Sequence, residues 1–202
     1  MSVWNASVGP IMKRESRKRM LAHLAELDIG TVHRHSLAVA KQLATVPAFI
    51  KAKSLVVYVS FGSEIETHVL IRQLLTEGRH VCVPAFQNGK YFAAEIEDFD
   101  RDLITGKLNI LEPKLLRHVP VARPEVWLVP GLAFDRKGNR LGRGKGYFDA
   151  LLQHAPGIKI ALAHDFQLQN EIPTESHDVR MDFIITETQV IQCTRNHDSN
   201  YY

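Results

Sequence analysis

Between Asp135 and Asp149 the chain places four glycines (Gly138, Gly142, Gly144, Gly146) among five cations (Arg136, Lys137, Arg140, Arg143, Lys145). Glycine permits positive φ and lets a ligand approach the main chain closely, while Arg and Lys supply charge where a polyphosphate would lie. Alternate glycines at 142, 144 and 146 enclose cations at 143 and 145, directly before Tyr147, Phe148 and Asp149. That spacing describes an anion cradle. Pro130 and Gly131 stand just upstream, after an apolar run, at the edge where open α/β sheets bind ligands. Asp149 has two roles open to it: holding a magnesium ion carried by phosphates, or standing as an acid near the positive end of a helix.

Two familiar nucleotide templates do not fit the loop. A P-loop needs Gly-Lys followed by Ser or Thr, yet Gly146 follows Gly144-Lys145, and Asn139 stands where the leading glycine belongs. The dinucleotide fingerprint needs a third glycine where this chain has Tyr147. A plainer alternative is a mobile basic loop, since loops commonly carry Gly and charge.

Charge distribution narrows the ligand class. The segment 135–149 holds five basic and two acidic residues, an excess equal to the net +3 of all 202 residues. The remainder is close to neutral, which suits one small polyanion better than a nucleic acid contacted through many phosphates. An RNA-binding module would need aromatics interleaved with its cations. Here only Tyr147 and Phe148 stand at one end of the loop.

Periodicity supplies the elements that must hold this loop. Met20, Leu21, Leu24 and Leu27 predict a helix over 13–27, stopped at Gly30, and Thr31 can cap a second helix over 32–45. The run 54–60 reads as a buried parallel strand, 67–77 as a helix, and 80–85 as a strand, together a βαβ unit. An Asn88-Gly89 turn predicts an antiparallel strand over 90–96, whereas 99–105 has no clear assignment and 106–124 reads as loop. Strands follow at 125–129, 158–163 and 182–186, with a helix over 147–153.

The composition, 45% hydrophobic and 23% charged, is that of one ordinary globular domain over 1–202, with mobile ends at 1–12 and 196–202. Two distant cysteines, Cys82 and Cys193, rule out a disulfide framework or a four-cysteine zinc site and read as buried thiols of a reducing compartment. No apolar run approaches a membrane span, and the N-terminus lacks a signal-peptide core. The expectation is a soluble, cytoplasmic protein.

Pro130-Gly131-Leu-Ala-Phe-Asp135, followed by Gly138-Asn-Arg-Leu-Gly-Arg-Gly-Lys-Gly-Tyr-Phe-Asp149, resembles the signature of the 5-formyltetrahydrofolate cyclo-ligase (5,10-methenyltetrahydrofolate synthetase) family. The likeness extends to Lys13 and Arg17, to Glu64-Ile65-Glu66-Thr67, and to Met181-Asp182. Phe148 departs from the family's usual second tyrosine and removes one hydroxyl. The resemblance implies a three-layer α/β/α fold with an open, mostly parallel sheet of the NagB/RpiA/CoA transferase-like type. It also implies ATP-dependent closure of 5-formyltetrahydrofolate, polyglutamylated or not, to 5,10-methenyltetrahydrofolate with ADP and phosphate released, by way of a phosphorylated formyl (iminophosphate) intermediate. ATP and Mg2+ would be required, with no nucleic acid or membrane partner, and the protein would act as a monomer.

Site roles follow from the same resemblance. Lys145, Arg143 and Tyr147 would be catalytic. Lys13 and Arg17 would reach the ATP phosphates; their spacing of four puts both on one helix face, although a solvated basic face beside Arg14, Lys18 and Arg19 is the alternative. Arg140, Leu141, Gly142, Arg143, Gly144, Lys145, Gly146, Tyr147 and Phe148 would line the nucleotide. Val59, Glu64, Arg143, Gly144, Lys145, Gly146 and Tyr147 would meet the folate, Glu64 accepting from the pterin's N–H donors. Asp149 and Asp182 would hold the metal, though Asp182 before a strand is otherwise an ordinary turn residue. If fold and binding persisted without the reaction, the protein would be a folate or small-anion binder. His33 and His35 lie two apart on a helix, hence on different faces, and the other histidines show no ligand spacing.

Overall fold

Leu55 and Val57 face one side of the central sheet and Val56 the other, and the alternation recurs in Val126/Leu128 against Trp127/Val129. Strands apolar on both faces must be covered on both, which dictates a three-layer arrangement. The computed structural model, which describes residues 9–106, 110–120, 123–144, 146–175 and 178–193, has that arrangement.

Five parallel strands form the centre of an eight-stranded sheet: β1 (Ser54–Val57), β2 (His80–Gln87), β7 (Val126–Val129), β10 (Ile158–Leu162) and β12 (Phe183–Ile185). Antiparallel strands extend both edges. On one side β3 (Lys90–Ile96) follows β2 through the expected turn, where Asn88 takes φ 52° and Gly89 φ 79°, and β6 (His118–Val119) pairs with β3. On the other side β13 (Val190–Gln192) pairs with β12. Two short strands, β4 (Leu103–Thr105) and β5 (Leu111–Pro113), make a separate hairpin. Residues 107–109 and 121–122 of the expected loop, Lys145, and positions 1–8 and 196–202 of the expected mobile ends lie outside the described residues.

Helices α2 (Ile29–Leu43), α3 (Pro47–Lys51) and α4 (His68–Thr76) pack Val39, Leu43, Phe49, Ile71 and Leu74 onto the first face, joined by Phe99 of the short α5 (Phe99–Asp102). Helix α6 (Tyr147–Leu152) covers the second with Leu151 and Leu152. Helix α1 (Gly9–Glu26) begins earlier than expected, taking in 9–12. Gly30 does not end a helix; it belongs to α2, because Asp28 rather than Thr31 is the cap. The Asp28 carboxylate accepts from the Thr31 N–H at 2.9 Å and from its hydroxyl at 2.6 Å.

A smaller sheet, β11 (Leu168–Gln169), β8 (Ala133–Asp135) and β9 (Arg140–Leu141), was not legible as strands in the sequence and lies under α1. Met20 and Leu24 of α1 pack on Leu132, Ala133 and Leu141. Wholly buried Asp135 ties its turn: the carboxylate accepts from the N–H groups of Lys137 (2.9 Å), Asn139 (3.1 Å) and Ile172 (2.9 Å), and from the Asn139 side-chain amide (2.9 Å). Gly138, at φ 86°, is required there, since a Cβ would stand 2.4 Å from the Met181 carbonyl oxygen.

Candidate active site

The β8–β9 hairpin delivers the glycine and cation loop to the C-terminal ends of β1 and β7, and three side chains fix it there. From α1, the Arg17 Nε–H donates to the Gly142 carbonyl at 3.0 Å. From the loop itself, the Arg143 guanidinium bonds Glu64 Oε1 at 3.1 Å and lies 4.5 Å from the Phe61 ring centroid. From β9, Arg140 donates to the Pro130 carbonyl at 3.2 Å and to Asp149 Oδ1 at 2.6 Å. Loop conformation requires glycine at Gly144, at φ 94°, and Gly146, at φ 67°.

The structure thus brings Arg17, Arg140, Gly142, Arg143, Gly144, Glu64 and Asp149 together along one loop through three separate contacts. Val59 is half-buried at the end of β1, packed on the core, and leads into the Phe61–Glu64 turn. Burial raises the Glu64 carboxyl above its ordinary value, with the Arg143 charge and the Phe61 N–H pulling the other way. Leu141 turns its side chain into the core beside Met20, leaving its main chain to the loop. Phe148 is half-buried, packs on the core and has the Arg140 guanidinium 5.9 Å from its ring centroid, so it serves here as apolar packing.

Lys13 shares the α1 face with Arg17 but has protein partners of its own. Its ammonium, in a side chain only 8% exposed, bonds Glu175 at 3.1 Å and Asp178 at 2.9 Å. A phosphate would have to share this lysine with two carboxylates. The two expected metal ligands likewise have protein partners: Asp149 Oδ1 accepts from Arg140 at 2.6 Å, and the Asp182 carboxylate accepts from the Lys159 N–H at 2.9 Å.

An aromatic wall was missed in the sequence. Tyr147 is 41% exposed and lies 4.3 Å from Tyr91 between ring centroids, and Tyr91 is 4.6 Å from Phe86, its cross-strand partner and itself 56% exposed. The signal was available: two aromatics flanking an Asn-Gly turn face each other across a hairpin. Burial, then a hydrogen bond with Tyr147, pushes the Tyr91 hydroxyl up, so it stays neutral. An exposed ring stack beside fixed guanidinium groups can take a flat heteroaromatic attached to an anion.

The chain matches the model of the 5-formyltetrahydrofolate cyclo-ligase family over residues 11–187. It is 34% identical over 159 residues to the 5-formyltetrahydrofolate cyclo-ligase of Escherichia coli, covering 75% of this chain and 87% of that protein. It is 27% identical over 194 residues to the mouse protein of that name, covering 87% and 93%. Among solved structures, the Aquifex aeolicus 5,10-methenyltetrahydrofolate synthetase superposes with a TM-score of 0.82 at 28% identity, over 94% of this chain and all of that one. Fold, signature loop and relatives agree, and the chain belongs to the 5-formyltetrahydrofolate cyclo-ligase family.

Proposed function

We propose that the protein closes 5-formyltetrahydrofolate to 5,10-methenyltetrahydrofolate at the expense of ATP. The observation that carries this reading is the Glu64–Arg143 ion pair, which joins a residue expected to hold the folate to a loop expected to hold the phosphates. In the reaction, the formyl oxygen attacks the γ-phosphorus and the bond to ADP breaks, leaving a phosphorylated formyl group on N5. N10 then attacks the formyl carbon, the carbon–oxygen bond breaks, phosphate leaves with the former formyl oxygen, and N10 releases its proton. Such chemistry needs positioning and neutralisation of phosphate charge more than an acid–base pair.

Arg17, Arg143 and Lys145, with the main chain of Gly142, Gly144 and Gly146, would surround the phosphates, Lys13 joining them from its carboxylate partners. Arg143 and Tyr147 would border both substrates, and Lys145 would neutralise the transferring group. Glu64 would accept from the pterin, whose ring would lie against Tyr91 and Tyr147. The donor set fits Mg2+ at Asp149: among the described residues only Arg140 bonds its carboxylate, through Oδ1, which leaves Oδ2 for an ion otherwise held by phosphate oxygens. Bound there, Mg2+ would neutralise developing charge on the phosphates, with Asp182 as the second expected carboxylate. Among the described residues no helix is long and apolar enough to cross a membrane, and two buried free thiols suit a reducing cytoplasm.

Mixing the protein with ATP, Mg2+ and 5-formyltetrahydrofolate should generate the absorption band of methenyltetrahydrofolate, and omitting ATP should abolish it. No band at any protein concentration rejects the proposal. Lys145→Ala should remove turnover while folate binding remains, which distinguishes an enzyme from a folate-binding relative.

A further inference from the structure

A second cluster occupies the same edge of the sheet, apart from the glycine loop. His35 of α2, His164 just after β10 and Glu187 just after β12 each bring a ligand atom within 4.8 Å of the others. His35 Nδ1 is 3.0 Å from His164 Nδ1 and 3.3 Å from Glu187 Oε1. A tetrahedral zinc ion with bonds of about 2.0–2.1 Å sets its donors roughly 3.4 Å apart. Both separations from His35 lie near that spacing.

Each donor is oriented from behind. His164 is wholly buried, and its Nε2 lies 2.9 Å from the Ser63 carbonyl oxygen. A carbonyl only accepts, so Nε2 carries the proton and Nδ1 presents a lone pair to the cluster. Glu187 Oε2 accepts from the Asp165 N–H at 2.9 Å, which turns Oε1 toward His35. Phe166 stacks on the His164 ring at 5.5 Å, and the Gln167 side chain accepts from the His164 main-chain N–H at 2.8 Å. A backbone carbonyl fixing the tautomer of one histidine and an amide fixing the carboxylate are the outer contacts that metal-ligating side chains use. In addition, Asp165 Oδ1, next in sequence to His164, is buried without a hydrogen-bond partner among the described residues.

We propose that His35, His164 and Glu187 bind a divalent transition-metal ion of the zinc class, with a fourth position open toward solvent on the half-exposed His35 side. Two imidazoles and one carboxylate select zinc, cobalt or nickel over magnesium. The ion takes the place of the proton that His35 Nδ1 otherwise shares with His164 and Glu187. Local sequence spacing concealed the set, because its members come from one helix and the ends of two adjacent strands. Ser63 adjoins Glu64, so the ion would also stiffen the turn that presents Glu64 to the neighbouring site.

The test uses the full chain, stripped of metal by chelation and kept in excess Mg2+. Titration with Co2+ should give a saturable visible absorption band of low-symmetry coordination at one equivalent, and Zn2+ should abolish it and raise Tm. His35→Ala and Glu187→Gln, each checked for native circular dichroism, should weaken Zn2+ binding about 100-fold or more, since losing a ligand costs at least what losing an outer contact does. His33→Ala, on the same helix but turned to Glu66, should leave it unchanged. Absence of a one-equivalent site in the parent chain, or binding that survives both ligand variants, overturns the proposal.

Discussion

Glu64 and Arg143 stand 79 residues apart in sequence and 3.1 Å apart in space, one on the turn after β1 and the other in the glycine loop after β9. Their pairing means that the two halves of the site cannot be built independently. It also sets a conflict: burial disfavours the charge of Glu64, while Arg143 and the Phe61 N–H favour it, and burial prevails.

The conflict predicts a trade between stability and function at Glu64. Its carboxyl is raised above 4.5 in the fold, so the native state binds this proton more tightly than the unfolded chain does. Its contribution is favourable below 4.5 and is lost as pH rises through the folded value. Glu64→Gln, which removes the buried charge and keeps one acceptor oxygen for either Arg143 or the Phe61 N–H, should therefore raise Tm at neutral pH with little effect in acid, and should raise the KM for the folate. Thermal melts at several pH values, read beside initial rates, check both; a Tm that drops at pH 7 contradicts the argument.

Gly144 is glycine for its backbone and lies beside a functional side chain. Its φ is 94°, and an added Cβ would come into contact with the Arg17 guanidinium at 3.4 Å, next to the bond that Arg17 makes to Gly142. Gly78, at φ 74° beyond the end of α4, has open space around it and offers the control. Both alanine variants should lose about 1–2 kcal/mol from the left-handed backbone, roughly 3–6 °C in Tm for a chain of this size. Only Gly144→Ala should also raise the KM for ATP, and equal kinetics for the two variants would show that the loop tolerates the shift.

Residue chemistry made the central strands and the signature loop legible, because short continuous β-branched runs and alternating glycines are local signals. Elements that depend on distant partners were not. The β8–β9 hairpin is two or three residues per strand and exists because Asp135 ties its turn to Ile172 and α1 covers it. Gly30 reads as a stop until Asp28 is seen to cap the helix containing it. Lys13 and Arg17 share a face as their spacing required, yet the carboxylates that hold Lys13 lie 162 and 165 residues away. Spacing shows which side chains point together and is silent on who meets them.

Lys13 tests that last point. In Lys13→Met, Asp178 and Glu175 would face each other across the vacated ammonium position. With Asp178 mostly buried and Glu175 half exposed, the cost should be about 1–2 kcal/mol, below that of breaking a fully buried pair. Adding Glu175→Gln and Asp178→Asn should recover part of the stability in urea denaturation and none of the ATP affinity. Full recovery of ATP affinity in the triple variant would assign Lys13 to structure alone.

Cys82 and Cys193 should be inert in the folded protein. Burial, and after it nearby carboxylates (Glu95 for Cys82; Asp182 and Asp135 for Cys193), push both thiols up to about 12, and the thiolate is the reactive form. Ellman's reagent at neutral pH should find both thiols only after denaturant is added, and rapid labelling of either in the native state contradicts the packing described.

Substitution at Tyr91 should distinguish the two substrates. It is sandwiched between Phe86 at 4.6 Å and Tyr147 at 4.3 Å, and its hydroxyl stays neutral, so its contribution is a flat face. The phosphate contacts proposed above, by contrast, lie on the glycine loop and α1, and Tyr147 links Tyr91 to the end of that loop. Tyr91→Leu keeps an apolar strand residue but removes the stacking surface. Stacking of a heteroaromatic ring on an aromatic side chain is worth about 1–3 kcal/mol, so the KM for the folate should rise about tenfold while that for ATP changes little. A parallel rise in both constants would mean that the wall shapes the loop and does not receive the pterin. A rise for ATP alone would assign the stack to adenine.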